Sequence, residues 1–314
     1  MKSEKLYKNI LRAIRKKGYK YINLPSVLEA NHIVQRSGEN FRKFIFTFND
    51  QNGKELCLRP DLTIVSCLRY LENKNKGKLK IFYDGQAYRK SQNRRDSIIR
   101  NQIGYEIIGS NNEKKDDKQI IETSLKSLSK INYQGGELVI GNIEIFKLLL
   151  KNLDCPYRWK LRLKRHFWRK KYFDNLLKRL ETNSDIDPTY VAIDKKKFSK
   201  MIKSDQNIQI AGRSINEILK RFDSKIKDPR RPKKGRNVSN IIKEYLSIEC
   251  PISKASQKLN SFFKKHNINL RVEDNYFPVT KNKINKLNVK FSSSFGRHLE
   301  YYTGIVFKID VKSK

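Results

Sequence analysis

Ile98-Ile-Arg-Asn-Gln-Ile-Gly-Tyr-Glu-Ile-Ile-Gly109 alternates with a period of two, the spacing of a β-strand whose successive side chains face opposite ways. One parity carries Ile99, Ile103 and Ile107, with Asn101 and Tyr105 among them. The other carries Arg100, Gln102, Gly104 and Glu106. A glycine between Gln102 and Glu106 leaves room for a ligand or another backbone to approach the strand. The preceding segment, about 79–89, repeats the device with Gly85, Ala87 and Arg89 on one parity. The last predicted strand, about 301–310, does so with Tyr302 and Gly304. Two readings stand side by side: a pocket over a sheet, or the wet face of an antiparallel sheet. If it is a pocket, Glu106 favours a cation, Arg89 an anion and Gln102 either, which together suit an amphoteric molecule such as an amino acid.

Outward from these strands, Leu6, Ile10 and Ile14 recur at helical spacing, and Gly18 ends that helix. Residues 18–25 read as an extended entry. Phe44–Phe48 and Glu55–Leu58 read as a hairpin turning through Asp50-Gln-Asn-Gly53. Leu62–Leu71 is helical, and the polar stretch 90–96 is a loop. The span 112–265 has a mostly helical pattern, with the basic run Asp228–Arg236 as a loop between helices. Strands return near 269–275, 286–293 and 301–310. The expected architecture is α+β: a strand-rich core from 1–111 and 266–314, interrupted by a helical insert at 112–265, with no internal repeat.

Composition sets limits. The 314 residues hold 69 Lys+Arg and 32 Asp+Glu, a formal net charge of +37. The 14 Gly and 8 Pro exclude collagen-like and low-complexity chains, and the aromatic content of 11% argues against disorder. Cys57, Cys67, Cys155 and Cys250 form no C-x-x-C pair, and His32, His166, His266 and His298 are not at ligand spacing, so neither a zinc cluster nor a disulfide framework is expected. Without a secretory pattern or a long apolar run, a cytoplasmic protein with no membrane association and no cofactor is expected. The basic residues are distributed over every helix, and nucleic acid is not expected as a partner. Trp159 and Trp168 read as packing anchors and Cys57 as a buried strand residue.

The strings Leu58-Arg-Pro-Asp-Leu-Thr63, Tyr88-Arg89, Gln102–Gly109 and Arg297-His-Leu-Glu-Tyr-Tyr-Thr-Gly-Ile-Val-Phe307 resemble the catalytic domain of histidyl-tRNA synthetases. Residues 18–25 resemble the first motif of that class II fold, an antiparallel sheet flanked by helices. Asn142–Phe146, Pro156–Leu163 and Ala211–Arg221 extend the resemblance to the synthetase-like regulatory subunits of ATP phosphoribosyltransferase. It implies a histidine site in which Asp61, Thr63 and Gln102 hold the α-amino group and Arg89 the carboxylate. Glu106 and Tyr302 would recognise the imidazole, with Arg297 and Tyr301 completing the set. It also implies a homodimer through the motif 1 region and a hetero-octamer with the short-form catalytic subunit. Ser91 stands where a synthetase has an adenine-contacting Glu, Arg100 where it has an aromatic that stacks on adenine, and the third motif is absent. These departures favour a non-catalytic histidine sensor over the two alternatives, a degenerate enzyme activating histidine with ATP and a basic RNA-binding module.

Overall fold

The computed structural model describes residues 2–37, 39–72, 77–90, 97–131, 133–182, 209–210, 213–214, 217, 220–221, 232–297 and 302–313. The chain forms two compact units, one of residues 1–136, 285–287 and 310–314, the other of residues 137–284 and 288–309.

The first unit starts with α1 (Lys2–Arg15), β1 (Lys20–Tyr21), β2 (Val27–Glu29) and α2 (Ala30–Ser37). A short 3₁₀ turn (Glu39–Phe44) leads to β3 (Thr47–Asn49), β4 (Glu55–Leu58) and α3 (Thr63–Glu72). After these come β5 (Leu79–Tyr88), β6 (Ile99–Ile108) and α4 (Glu113–Leu128). Gly18, with φ +84°, turns the chain after α1 so that Lys20 and Tyr21 pair in parallel with Ile81 and Phe82. The β3–β4 hairpin turns where expected: Asp50 Oδ1 accepts from the backbone N–H groups of Asn52 and Lys54, and Gly53 takes φ +76°. Phe44 belongs to the 3₁₀ turn rather than to the strand.

Strands β5 and β6 are antiparallel over ten residue pairs, which fixes what shares a face. Ile103, Tyr105 and Ile107 pack with Phe82 against Ile10, Leu11 and Ile14 of α1 and Ile120 of α4. The apolar parity therefore points into the core. The other face pairs Ile81 with Glu106, Tyr83 with Gly104, Gly85 with Gln102 and Ala87 with Arg100. Tyr83 and Ala87 cluster there with Leu24, Leu62 and Val65.

The second unit holds most of β7 (Tyr133–Asn142), then α5 (Ile143–Asn152), α6 (Tyr157–His166) and α7 (Lys170–Thr182). Later come the short pair β8 (Gln209–Ile210) and β9 (Arg213–Ser214), α8 (Pro232–Leu246), β10 (Glu249–Pro251) and α9 (Ala255–Lys265). Strands β11 (Lys283–Ile284), β12 (Leu287–Ser292) and β13 (Ile305–Ser313) complete it. Its sheet runs β10-β12-β7-β13, with β11 beside β12. Asn142 starts α5 by accepting from Glu144 N–H while its own amide donates to the Tyr276 carbonyl. Phe146 is the hub of the helical core, stacked on Phe167 at 3.9 Å and touching Phe173 and Tyr245. Trp159 is fully buried. Helices α7 and α8 meet where a Cβ on Gly235 would lie 2.0 Å from the Leu180 carbonyl, so only glycine admits this approach.

Three expectations need correction. The basic run 228–236 is not all loop, since Pro232 opens α8; its residues 228–231 lie outside the described residues. The segment 269–275 is not a strand. The Asn260 side-chain amide, presented by α9, donates to the Val272 carbonyl and accepts from the Val272 N–H, both at 2.8 Å, in place of a neighbouring strand. The last strand begins at Ile305, so Tyr302 and Gly304 precede it, and the Gly304 carbonyl instead accepts from Ile143 N–H.

Candidate functional site

The polar face of β5 and β6 meets the N-terminus of α3 within the first unit. Asp61, almost fully buried, accepts from Ile64 N–H at 2.9 Å and so caps α3. That bond holds one carboxylate oxygen and leaves the other toward Arg89, whose Nη2 lies 3.9 Å away. Arg89 is itself fixed, donating through Nε to the Pro60 carbonyl at 2.7 Å and lying over the Phe41 ring at 5.6 Å. The Tyr83 hydroxyl donates to Glu106 Oε1 at 2.6 Å, and the Thr63 hydroxyl lies 3.2 Å from the same phenol oxygen. Gln102 lies four residues before Glu106 along β6, on the same face.

Burial pushes the Glu106 carboxyl above its ordinary pKa; the bonds from Tyr83 and Thr63 pull it back, and the Asp61 charge adds to the rise. The Tyr83 phenol is pushed up in turn, first by burial and then by the Glu106 charge. Two carboxylates and two hydroxyls thus converge beside a positioned guanidinium. Such a site can hold an ammonium or N–H donor against Asp61 and Glu106 while Arg89 meets a carboxylate.

Gly304 has nothing within 4 Å of where a Cβ would stand, but Gly104 and Gly85 do not leave open space. A Cβ on Gly104 would fall 2.3 Å from the Tyr83 ring, and one on Gly85 would fall 2.4 Å from the Arg59 guanidinium. The close approach foreseen at these positions is made by the chain's own side chains. Tyr83 and Arg59 were both missed by the sequence reading. Arg59 is buried and donates to the Leu24, Pro25 and Gln86 carbonyls, tying residues 24–25 to β5. Its place in Leu58-Arg-Pro-Asp gave a signal, and Tyr83 shares the parity of Gly85.

Asp61, Thr63, Glu106 and Arg89 are thus brought together, with Gln102 on the same face. Arg297 and Tyr302 belong to the second unit. Arg297 is buried between Phe167 and Phe173, with its guanidinium carbon 4.7 Å from each ring centroid and its Nε donating to the Phe167 carbonyl at 2.8 Å. Burial lowers its pKa, opposed by Asp174. Tyr302 is exposed and lines a cleft of about 550 Å³ with Lys147, Lys164, Arg165, Trp168 and Thr303. Ser91, His298 and Tyr301 lie outside the described residues.

The basic charge is also less even than expected. Residues 158–171 hold eight Lys and Arg and no Asp or Glu, with Tyr157, Leu161 and Tyr172 exposed on the same helices. Among the described residues no cluster could hold a metal ion, and no helix is long and apolar enough to cross a membrane.

The fold is of the class II synthetase kind. A solved regulatory subunit/histidyl-tRNA synthetase from Bacillus halodurans superposes with a TM-score of 0.52 at 18% identity, over 98% of this chain and 68% of that one. A histidine–tRNA ligase subunit from Alicyclobacillus acidocaldarius gives 0.50 at 15% identity, over 98% and 80%. Residues 1–224 match the family described as histidyl-tRNA synthetase, and the chain belongs to that family. Among curated relatives, an ATP phosphoribosyltransferase regulatory subunit from Allorhizobium ampelinum is 28% identical over 93% of this chain and 82% of its own. The protein of that name from Brucella anthropi is 25% identical over 92% and 80%.

Proposed function

We propose that this chain is the non-catalytic regulatory subunit of an ATP phosphoribosyltransferase. It would act in the cytoplasm with a short-form catalytic subunit in the first step of histidine synthesis, both enabling that subunit and relaying inhibition by histidine. The observation that carries the reading is the cluster of Asp61, Thr63, Tyr83 and Glu106 beside Arg89, which offers opposite charges to the two ends of a zwitterion. The names of the relatives that match nearly the whole chain support the same assignment. Arg100, exposed on β6 where a synthetase presents a ring to adenine, argues against ATP chemistry of its own.

Histidine enters with its α-amino group toward Asp61, Thr63 and Gln102, its carboxylate toward Arg89 and its imidazole toward Glu106. Feedback requires that histidine bind the active and inactive assemblies unequally. Tyr21, Val27, Phe48, Ile98 and Ile99 are exposed large side chains in the first unit, and they suit a homodimer through the motif 1 region within a hetero-octamer.

Calorimetry on the purified complex tests the site: Glu106→Ala is expected to weaken histidine binding at least tenfold, and unchanged binding would sink the assignment. Activity of the catalytic subunit with and without this chain tests the role. Histidine-dependent exchange between ATP and pyrophosphate by this chain alone would make it an enzyme instead.

A further inference from the structure

Helix α6 reads Tyr157-Arg-Trp-Lys-Leu-Arg-Leu-Lys-Arg-His166, and it buries only Trp159 and Leu163. Its outer side leaves Tyr157 74% exposed and Leu161, one turn on, 47% exposed, among Lys160, Lys164 and Arg165. Leu161, Lys164 and Arg165 form one wall of the 550 Å³ cleft, whose floor is Ile143, Phe146 and Phe167. No salt bridge to Lys164 or Arg165 is formed among the described residues. A helix that spends its exposed positions on an apolar pair ringed by cations, next to an apolar cleft, has the composition of an interface centre rather than of a solvated face.

We propose that this face docks an acidic segment of a protein partner, whose apolar side chain enters the cleft while its carboxylates pair with Lys164 and Arg165. The aliphatic Leu161 and the apolar cleft favour protein over RNA. A base needs an open ring face on which to stack. Here Arg169 covers Trp168 at 5.0 Å and His166 lies against Tyr172 at 4.6 Å, Trp159 is fully buried, and Tyr157 is the exposed ring. The aliphatic Leu161 and the cleft floor gain by burial against a carbon side chain and gain nothing from a phosphodiester. Resting on the proposed function, the inference takes the catalytic subunit as this partner.

The test is the dissociation constant of full-length protein and short-form catalytic chain, measured at two salt concentrations. Lys164→Glu/Arg165→Glu is expected to weaken the complex at least tenfold and to flatten its salt dependence, and Leu161→Ser to weaken it about tenfold. Both sets of side chains are exposed, and unchanged thermal melts confirm the fold. Reversal at Lys254 and Lys264, exposed lysines outside residues 158–171, is expected to change affinity less than threefold. A complex indifferent to the 164/165 reversal overturns the docking face and leaves the proposed function standing. Loss of tRNA retention in that variant with an unchanged complex also overturns it, in favour of nucleic acid. No complex with the wild-type chain overturns the proposed function, and this choice of partner with it.

Discussion

Glu106 in the first unit and Arg297 in the second are both charged groups withdrawn from water, and they are held by opposite means. Glu106 is met by a phenol hydroxyl at 2.6 Å, with a threonine hydroxyl behind it. Arg297 is met by two ring faces and one carbonyl, and its Nη2 has no hydrogen-bond partner among the described residues. Hydroxyl groups can turn to serve a ligand as readily as the carboxylate they hold. Ring faces cannot, and they reward the flat hydrophobic body of the guanidinium as much as its charge. The first arrangement suits exchange of partners, whereas the second suits permanent packing.

The widest separation between the two is expected at Arg297. Replacing it by Ala removes side-chain volume between Phe167 and Phe173 and should cost about 3 kcal/mol of stability in denaturant unfolding. Arg297→Met, which keeps the volume and drops the charge, should recover most of that. A Met variant as unstable as Ala would show that the charge itself is required, and the contrast would collapse.

Glycine contacts sharpen the comparison next. Gly104→Ala must push the Tyr83 ring off β6, and Gly235→Ala must push α8 from the Leu180 carbonyl; each should cost about 2 kcal/mol. Only Gly104→Ala should also weaken histidine binding, because only there does the displaced group hold a site carboxylate. Equal effects on binding from both variants would refute this.

A smaller loss is expected from Tyr83→Phe, about 1–2 kcal/mol, as a partly buried carboxylate loses its donor. The smallest effect is in pH dependence. A carboxyl whose folded pKa is raised binds more protons folded than unfolded, so its contribution to stability falls as pH rises above its unfolded value of 4.5 and levels off above the folded one. Glu106→Gln should therefore gain stability relative to wild type as pH rises through that window. A difference that is flat with pH would mean that the carboxyl is not desolvated.

Much of the first unit was legible because alternation is a local signal. Strands expected at 79–89 and 98–108 are observed at 79–88 and 99–108, with the expected faces, and the helix expected from Leu62 starts at Thr63. Asp61, Thr63, Arg89 and Glu106 followed from motif strings that retain their spacing. What stayed hidden depends on register and distance. That Tyr83 lies opposite Gly104 is set by the register of the two strands, which alternation alone does not specify, and the loop expected at 90–96 lies, past Lys90, outside the described residues. The Asn260 bonds to Val272 join a helix to an extended segment twelve residues away, so an apolar alternating stretch did without strand partners. The concentration of cations on α6 was visible as a string, but its exposure follows from the choice of Trp159 and Leu163 as the only buried positions.

Burial and the Tyr83 hydroxyl act on the Glu106 carboxyl in opposite directions, and burial is the stronger. Because burial favours the protonated acid, the unliganded carboxyl gives up its proton at a higher pH than a free one, at the place where the imidazole of the ligand would go. An imidazole N–H donating to the ionised carboxylate would draw that pKa back down, so ligand entry within the pH range of its titration would release protons to the solvent. Binding heats measured in buffers of different ionisation enthalpy should differ in proportion to the protons released, and the count should shrink as pH rises. The pocket would then report its occupancy to the surrounding buffer as well as to its partner subunit.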